Sequence, residues 1–231
     1  MGGSHQRALT LVLAAVVALV ALPASLATDG PAIQPGASLG GYCTLNFVFD
    51  GTGPLTGKTY IGTAGHCVDL DATPTIPGRG TFGTVVWDDD ATTDFALIEI
   101  DPAHTHDVLP WLLGHPDVPT GTTTQAETSP GDLLVLSGYG FGFAFHPTTR
   151  ENRTGALLTD DGQRYTAQTL LTFGDSGGPL VHAPTGKALG TVSAYNFFDI
   201  PPTTDIGPTV DWILDELAQD GFPVTLRTVS P

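Results

Sequence analysis

The chain has 231 residues, of which 24 are Asp or Glu and 8 are Lys or Arg, so its formal charge at pH 7 is −16. Such an acidic chain excludes nucleic acid and anionic membranes as expected partners, because both would repel it. The 29 glycines and 19 prolines indicate that most ordered segments are short.

The amino terminus has the pattern of a secretory signal peptide. Arg7 precedes an apolar run from Ala8 to Leu22, and small residues follow up to Ala27. The run is shorter than the roughly 20 residues that a spanning helix needs. We expect cleavage near Ala27 and export of residues 28–231, whose formal charge is −17 because the removed segment carries one Arg and no acid. A retained membrane anchor is the alternative.

The chain has two cysteines, Cys43 and Cys67. Export favours a disulfide between them, which would stabilise the fold by about 3 kcal/mol in the chain-entropy model. A metal site would need more cysteines or paired histidines nearby. No metal or cofactor is expected, and His104, His106 and the acids at 88–90 are interpreted as solvated loop residues.

Short strand-like segments follow from Tyr60 onward, rich in β-branched and aromatic residues and bounded by turn residues. They are YIGTA at Tyr60, TFGTVVW at Thr81, FALIEI at Phe95, LLVLSGYG at Leu133, TGALLT at Thr154 and ALGTVSAY at Ala188. Many short strands without alternating helices predict an all-β sandwich or barrel. The Thr- and Pro-rich stretch 117–130 is interpreted as the link between two halves, 38–125 and 126–207.

One helix is predicted near the carboxyl terminus, between Pro208 and Gly221. Apolar residues follow helical spacing, and Pro and Gly suit the start and the stop of a helix. The final apolar segment, FPVTLRTV, is expected to add a strand.

The segment FGDSGGP, Phe173 to Pro179, presents a candidate nucleophile, Ser176. It also satisfies the G-x-S-x-G pattern of α/β-hydrolases, in which an acid and then a histidine follow the serine. Here only His182 follows, with 55 residues remaining, which is too little for that fold. Upstream, His66 lies in GTAGHC and Asp94 in TTDFALIEI, so a base and an orienting acid precede the serine.

This order and its surroundings resemble the chymotrypsin-like (trypsin superfamily) serine peptidases. The segments TAGHC, DFALI and GDSGGPL resemble the histidine, aspartate and serine motifs of that family. SGYG at Ser137, VSAY at Val192 and the segment DWILDELAQD resemble further family segments, in the family's order. The single pair of cysteines and the short spacings resemble the bacterial, streptogrisin-like branch.

The resemblance implies two six-stranded antiparallel β-barrels with the active site between them and a carboxy-terminal helix. His66 would be the general base, Asp94 would orient it, and Ser176 would attack the scissile carbonyl. The backbone N–H groups of Gly174 and Ser176 would form the oxyanion hole. The bridge between Cys43 and Cys67 would hold the loop that carries His66.

The sequence departs from the family around Asp175, the acid before the nucleophile. Animal members pair this acid with a freed amino terminus, but the only similar segment, SLGG at Ser38, lies too close to Cys43. The streptogrisin-like branch uses an arginine at a position that falls near Leu136 here, and that arginine is missing. The remaining candidates are Arg150, Arg153 and Arg164.

The same resemblance places Leu170 at the base of the specificity pocket and Ser193, Ala194 and Tyr195 along its wall. An uncharged Leu predicts a preference for apolar side chains, since a buried cation would be unpaired. The alternative is that another acid, Asp199 or Asp205, reaches the pocket.

The function expected from these motifs is that of a secreted, monomeric serine endopeptidase acting on protein or peptide substrates. The alternative is a catalytically silent binding module of the same fold. Retention of all three triad positions and of Gly174 favours the enzyme.

Overall fold

The computed structural model of the protein describes residues 30–140, 153–196 and 204–229, with residues 195 and 196 described by their backbone only. The predicted signal peptide therefore lies outside the described residues, as do Arg150 and Asp199. Across the described ranges, we find no helix with the length and apolar character needed to cross a membrane.

Eight strands form before the middle of the chain, together with short 3-10 helices at Gly53–Leu55, Gly65–Cys67 and Pro102–Asp107. The strands are β1 (Ser38–Leu39), β2 (Cys43–Thr44), β3 (Val48–Gly51), β4 (Thr59–Thr63), β5 (Thr75–Ile76), β6 (Gly80–Thr81), β7 (Gly83–Asp89) and β8 (Phe95–Ile100).

The second part of the chain begins with a 3-10 helix, Gln125–Glu127. Its elements are β9 (Leu133–Leu136), β10 (Arg153–Asp160), β11 (Arg164–Thr169), β12 (Pro179–His182), β13 (Lys187–Thr191), β14 (Ala194–Asn196), β15 (Thr204–Pro208), the helix α1 (Val210–Gln219) and β16 (Val224–Leu226).

Two antiparallel sheets organise these strands. Their orders are β16-β3-β4-β8-β7 and β13-β12-β9-β10-β11-β15-β14, and β1-β2 and β5-β6 form separate two-stranded ribbons. The predicted all-β class, with two sheet-based halves and a carboxy-terminal helix, is confirmed. The main sheets contain five and seven described strands rather than six each.

Each half has its own apolar core, and a third cluster joins them. Residues such as Ile61 and Ile98 are fully buried in the first half, and Leu134 and Leu180 in the second. The joining cluster contains Phe49 and Phe95, whose rings meet edge to face at 6.2 Å. It also contains residues of α1, so the helix packs against both halves.

The helix forms where its sequence pattern predicts it. The Thr209 side chain accepts a hydrogen bond from the backbone N–H of Trp212, which is an N-cap, and Gly221 takes a positive φ of 86° after the last turn. Val210, Ile213 and other apolar residues of the predicted stripe face the joining cluster. The chain then forms β16, which pairs with β3 of the first sheet.

The predicted link between the halves is partly incorporated into the second sheet. Thr122 forms an isolated bridge with Ala188 on β13, and Thr123 N–H donates to the Ala188 carbonyl at 2.8 Å. The carboxy-terminal strand returns to the first sheet, so the two halves are tied together at both ends. This arrangement fixes the cleft in which the candidate residues lie.

Candidate active site

His66 and Asp94 are joined by several hydrogen bonds at one side of the cleft. His66 lies in the 3-10 helix that follows β4, and Asp94 lies immediately before β8. The His66 ring Nδ1 lies 2.9 and 3.0 Å from the two carboxylate oxygens, and the backbone N–H of His66 donates to Oδ1 at 3.0 Å. In this arrangement the Nδ1–H group donates to the Asp94 carboxylate, which leaves Nε2 free to accept a proton.

Asp94 has a left-handed backbone, with φ of 47°. Aspartate tolerates this region better than most residues, although it remains sparsely populated and is typical of functional sites. The Ser193 hydroxyl also donates to Asp94 Oδ2. Ser193 is buried and was expected to bind substrate, so the structure gives it a second role in holding the acid.

These contacts shift the pKa values of both partners. Burial works to raise the pKa of the Asp94 carboxyl, but hydrogen bonds from His66 and Ser193 outweigh it and lower the pKa below 3.8. The hydrogen bond to Asp94 raises the pKa of His66 above 6.5, against an opposing effect of burial. Asp94 therefore stabilises the imidazolium, as an orienting acid should.

Ser176 lies on a tight loop that is hydrogen-bonded to the first half. Thr44 donates its backbone N–H to the Ser176 carbonyl at 2.8 Å and its hydroxyl to the Gly174 carbonyl at 2.6 Å. Asn46 donates its side-chain amide to the Gly177 carbonyl at 2.9 Å. Since the His66 loop belongs to the first half as well, these bonds bring the candidate base and nucleophile to one place.

The loop depends on glycine at two positions. Gly174 and Gly177 have φ values of 99° and 85°. A Cβ on Gly177 would lie 2.3 Å from the Thr63 hydroxyl oxygen and 2.4 Å from the Thr44 carbonyl oxygen. Glycine is therefore required for the close contact between the halves.

Two backbone donors at the loop are not used internally. Among the described residues, neither Gly174 N–H nor Ser176 N–H donates a hydrogen bond. Gly174 is buried, and a buried N–H without an acceptor is uncommon in folded proteins. Both residues line the cleft, where an incoming oxygen atom would find these donors.

The cleft has a volume of about 670 Å³, and both the candidate base, His66, and the candidate nucleophile, Ser176, line it. Its lining consists of Tyr42, Cys43, His66, Phe173, Gly174, Ser176, Ser193 and Ala194. No hydrogen bond joins the Ser176 hydroxyl to the His66 ring among the described contacts. Such bonds are often long without substrate and shorten in the Michaelis complex.

Arg153 is the partner of Asp175. The guanidinium forms a bidentate pair with the carboxylate, with both N–O distances 2.5 Å, and Asp175 is 1% exposed. The backbone N–H groups of Thr172 and Gly140 donate to the same carboxylate at 2.8 Å. Of the other candidates, Arg164 instead lies over the Trp212 ring at 5.2 Å.

Only some of the residues expected to bind substrate lie in the cleft. Ser193 and Ala194 line the cleft, whereas Leu170 is 69% exposed and is absent from the cleft lining. Leu170 follows the end of β11, where its carbonyl accepts a hydrogen bond from Arg153. This side chain lies outside the described lining of the cleft, and its place at the base of the pocket stays a prediction. The Tyr195 side chain lies outside the described residues.

The structure contains the disulfide between Cys43 and Cys67, whose Cα atoms are 6.2 Å apart. It joins β2 to the His66 loop, and Cys67 Sγ lies 3.8 Å from the Ser176 carbonyl oxygen. The bridge thus lies beside both candidate catalytic residues.

Two groups of potential metal ligands occur among the described residues, and both overlap this site. One consists of His66 with the two cysteines, which are oxidised to the disulfide, and the other of His66, Asp90 and Asp94. Asp94 is already hydrogen-bonded to the His66 ring, so neither group is a separate metal centre. The predicted loop residues His104 and His106 lie beside the ion pair of Arg79 and Asp107.

The roles of Thr44 and Asn46 were missed by the sequence analysis. Both are fully buried polar residues at alternate positions after Cys43. Alternate residues of an extended segment point to the same side, so two polar residues in the apolar segment CTLNF indicate a shared polar partner. That signal was present, but it did not identify the serine loop as the partner.

Comparison with solved structures shows the same fold in bacterial proteases. The chain covers all of a Cellulomonas bogoriensis chymotrypsin with a TM-score of 0.61 and 19% identity. It matches a Nocardiopsis protease, also over its whole length, at 0.63 and 19% identity, and Thermobifida fusca protease A, over 99% of that chain, at 0.61 and 20% identity. In each case 85% of the present chain is covered.

A curated relative is the human serine protease HTRA3, which is 27% identical over 165 residues. The match covers 65% of the present chain, but the chain spans only about a third of the length of that relative, 34%. The family model for the trypsin-like peptidase domain matches residues 47–190, more than half of the chain and a span that includes His66, Asp94 and Ser176. The chain therefore belongs to the trypsin-like peptidase domain family, a family of serine-type endopeptidases.

Proposed function

We propose that the protein is an exported serine endopeptidase that cuts proteins or peptides after apolar residues, with His66, Asp94 and Ser176 as its triad. The observation that carries the proposal is the cleft itself. A serine, a histidine already oriented by an acid, and two unused backbone N–H groups all line it or adjoin it. Acyl transfer requires this combination of nucleophile, base and oxyanion donors.

In this mechanism the Ser176 hydroxyl attacks the scissile carbonyl while His66 Nε2 takes its proton. The carbonyl oxygen becomes an oxyanion and accepts hydrogen bonds from Gly174 N–H and Ser176 N–H. Each bond stabilises the transition state by about 3 kcal/mol. His66 then gives its proton to the leaving amine, and water repeats the sequence to release the acyl group. Asp94 remains ionised throughout and stabilises the imidazolium.

The cleft lining supports an apolar preference. None of the described residues that line it has a carboxylate. A Lys or Arg side chain of the substrate would therefore enter without a carboxylate partner, which costs several kcal/mol, about 3 or more. Phe173 and Ala194 instead offer apolar surface. Export is supported by the signal-like sequence and by the disulfide.

The first prediction tests the triad. Fluorophosphonate should label the purified protein, and Ser176→Ala should abolish the labelling. Ser176→Ala and His66→Ala should each lower kcat by about 10⁶, and the double variant hardly further, because the residues act as a unit. Ser129→Ala, on an exposed turn away from the cleft, is the matched control. An intact fold that is neither labelled nor active would support the silent binding module, and additive losses would contradict the triad.

The second prediction concerns pH. The base has to be neutral, and its raised pKa moves the acid limb of activity upward, so kcat/KM should increase through an apparent pKa above 6.5. Asp94→Asn should lower that apparent pKa and reduce kcat by about 10⁴, since the acid no longer fixes the tautomer. Peptide hydrolysis measured across pH provides both values. An optimum near pH 4 would exclude histidine as the base.

The third prediction concerns the ion pair beneath the serine loop. Arg153→Ala leaves the buried Asp175 carboxylate unpaired, so it should lower the free energy of unfolding by about 3–5 kcal/mol and abolish most hydrolysis. Arg153→Lys keeps the charge but loses the bidentate contact, so its stability and its activity should lie between those of the wild type and of Arg153→Ala. Denaturant unfolding and kcat/KM measure the effects, and Arg164→Ala is the control. Equal effects at both arginines would contradict the assignment.

The fourth prediction concerns specificity. A positional-scanning peptide library should show cleavage after Leu, Phe or Ala ahead of Lys and Arg. The same library with the Ser176→Ala protein controls for contaminating proteases. A preference for Lys or Arg of tenfold or more, which corresponds to about 1.4 kcal/mol in the activation free energy, would contradict the apolar assignment. It would mean that an acid reaches the pocket.

A further inference from the structure

A carboxyl group, a phenol and a backbone carbonyl meet behind the strand segment that forms one wall of the cleft. The Tyr165 hydroxyl oxygen lies 2.5 Å from Asp205 Oδ2 and 2.8 Å from the carbonyl oxygen of Thr191. Asp205 and Tyr165 are both fully buried. Asp205 lies on β15, opposite Ala167 on β11 and Tyr195 on β14.

The number of hydrogens in these contacts determines which group donates. Each of the two short contacts requires a hydrogen, but the phenol supplies only one, and a carbonyl oxygen can only accept. The Tyr165 hydrogen therefore points to Thr191, and the hydrogen between Tyr165 and Asp205 comes from the carboxyl. If Asp205 were ionised and accepted the phenol hydrogen, the Tyr165 hydroxyl oxygen and the Thr191 carbonyl oxygen would lie 2.8 Å apart with no hydrogen between them.

The other oxygen of Asp205 gives an independent reason for the same assignment. Oδ1 is buried and makes no hydrogen bond among the described residues. An ionised carboxylate with one oxygen buried and unpartnered is far more costly than a neutral carboxyl group in the same place. Burial accordingly raises the pKa of Asp205 to about 8, although the Tyr165 hydroxyl, which can donate to the ionised carboxylate, and the backbone N–H groups of Ser193 and Ile206 oppose it.

The groups around Asp205 do not offset this effect. Tyr165 on β11 has a pKa well above 10 because of burial, so it keeps its proton. The negative charge of Asp175 on the serine loop further raises the pKa of Asp205, and Arg153 is already bound to Asp175. Tyr195 on β14 is described by its backbone only.

The residues beyond Thr191 belong to the candidate active site. Val192 accepts a hydrogen bond from Gly177 N–H at 2.7 Å and donates to the Gly178 carbonyl at 2.8 Å. Ser193, next along the chain, donates its hydroxyl to Asp94. The segment 191–193 thus touches both the serine loop and the orienting acid, and its position affects both.

We propose that Asp205 is a positioning residue that acts in its protonated form, donating to Tyr165 so that Tyr165 donates to Thr191 and holds the segment 191–193 in place. Its effect on catalysis rests on the proposed endopeptidase function, whereas its protonation state does not. Above the pKa of Asp205 the carboxyl proton passes to solvent, the phenol turns to the carboxylate, and the Thr191 carbonyl loses its donor.

The kinetic test compares the wild-type protein with Asp205→Asn. An amide donates to Tyr165 as a protonated carboxyl does and does not titrate, so this variant should keep kcat/KM at neutral pH. The wild type should lose about tenfold on the alkaline side with an apparent pKa about 8, and the variant should not. Tyr165→Phe should show the lower value at every pH, because Thr191 has no donor. The exposed Asp117→Asn is the control and should follow the wild type.

A second test measures the protonation state of Asp205 through protein stability and does not depend on enzymatic activity. Folded Asp205 has a pKa about 8, against 3.8 for the ordinary group, so between these values the folded state holds a proton that the unfolded state has released. The stability of the wild type should therefore fall relative to Asp205→Asn as pH rises from about 4 to about 8, and the difference should be constant above that. Thermal unfolding across pH measures the Tm difference.

The outcomes separate this proposal from the proposed function. A wild-type protein that cleaves no peptide would refute the endopeptidase, while the Tm comparison would still decide the protonation of Asp205. A Tm difference that does not change between about pH 4 and 8, or an Asp205→Asn protein that folds but is inactive at neutral pH, means that Asp205 works ionised and overturns the proposal.

Discussion

The conformation of the serine loop depends on one buried carboxylate, that of Asp175. Among the described residues, five hydrogen bonds reach it, two from Arg153, two from the backbone N–H and the hydroxyl of Thr172, and one from the backbone N–H of Gly140. Because Asp175 directly precedes Ser176, fixing its side chain fixes the direction of the peptide groups around Ser176. The charge that balances it comes from Arg153 on β10, within the same half of the molecule.

A second constraint acts between the halves. His66 and Asp94 lie in the first half and Ser176 in the second, so their geometry depends on contacts across the cleft. Thr44 and Asn46 make these contacts from the first half by donating to backbone carbonyls of the serine loop. Since both side chains are fully buried, losing either bond would leave a carbonyl without a donor, at a cost of about 1–3 kcal/mol. The site is therefore as rigid as the interface between the halves.

Sequence alone predicted the fold class, the helix and the strands next to His66 and Asp94, because these depend on local patterns. It did not predict which side chains contact each other when they are far apart in the sequence. Three arginines were equally compatible with Asp175, and only the pairing of β9 with β10, Leu136 with Arg153, brings one of them to it. The exposure of Leu170 was not predicted for the same reason, since the direction of a side chain after a strand ends depends on packing rather than on its distance from Ser176.

Two acids beside the same strand segment illustrate how surroundings, rather than residue type, determine charge. Asp94 receives hydrogen bonds from His66 and Ser193, and these outweigh its burial and keep it ionised. Asp205 is more deeply buried and has one phenol beside it, so it stays neutral and donates. From the sequence, Asp205 was an alternative source of negative charge for the pocket. A neutral carboxyl group that faces Tyr165 contributes no such charge, so the proposed apolar preference rests on the protonation of Asp205 as much as on the residues that line the cleft.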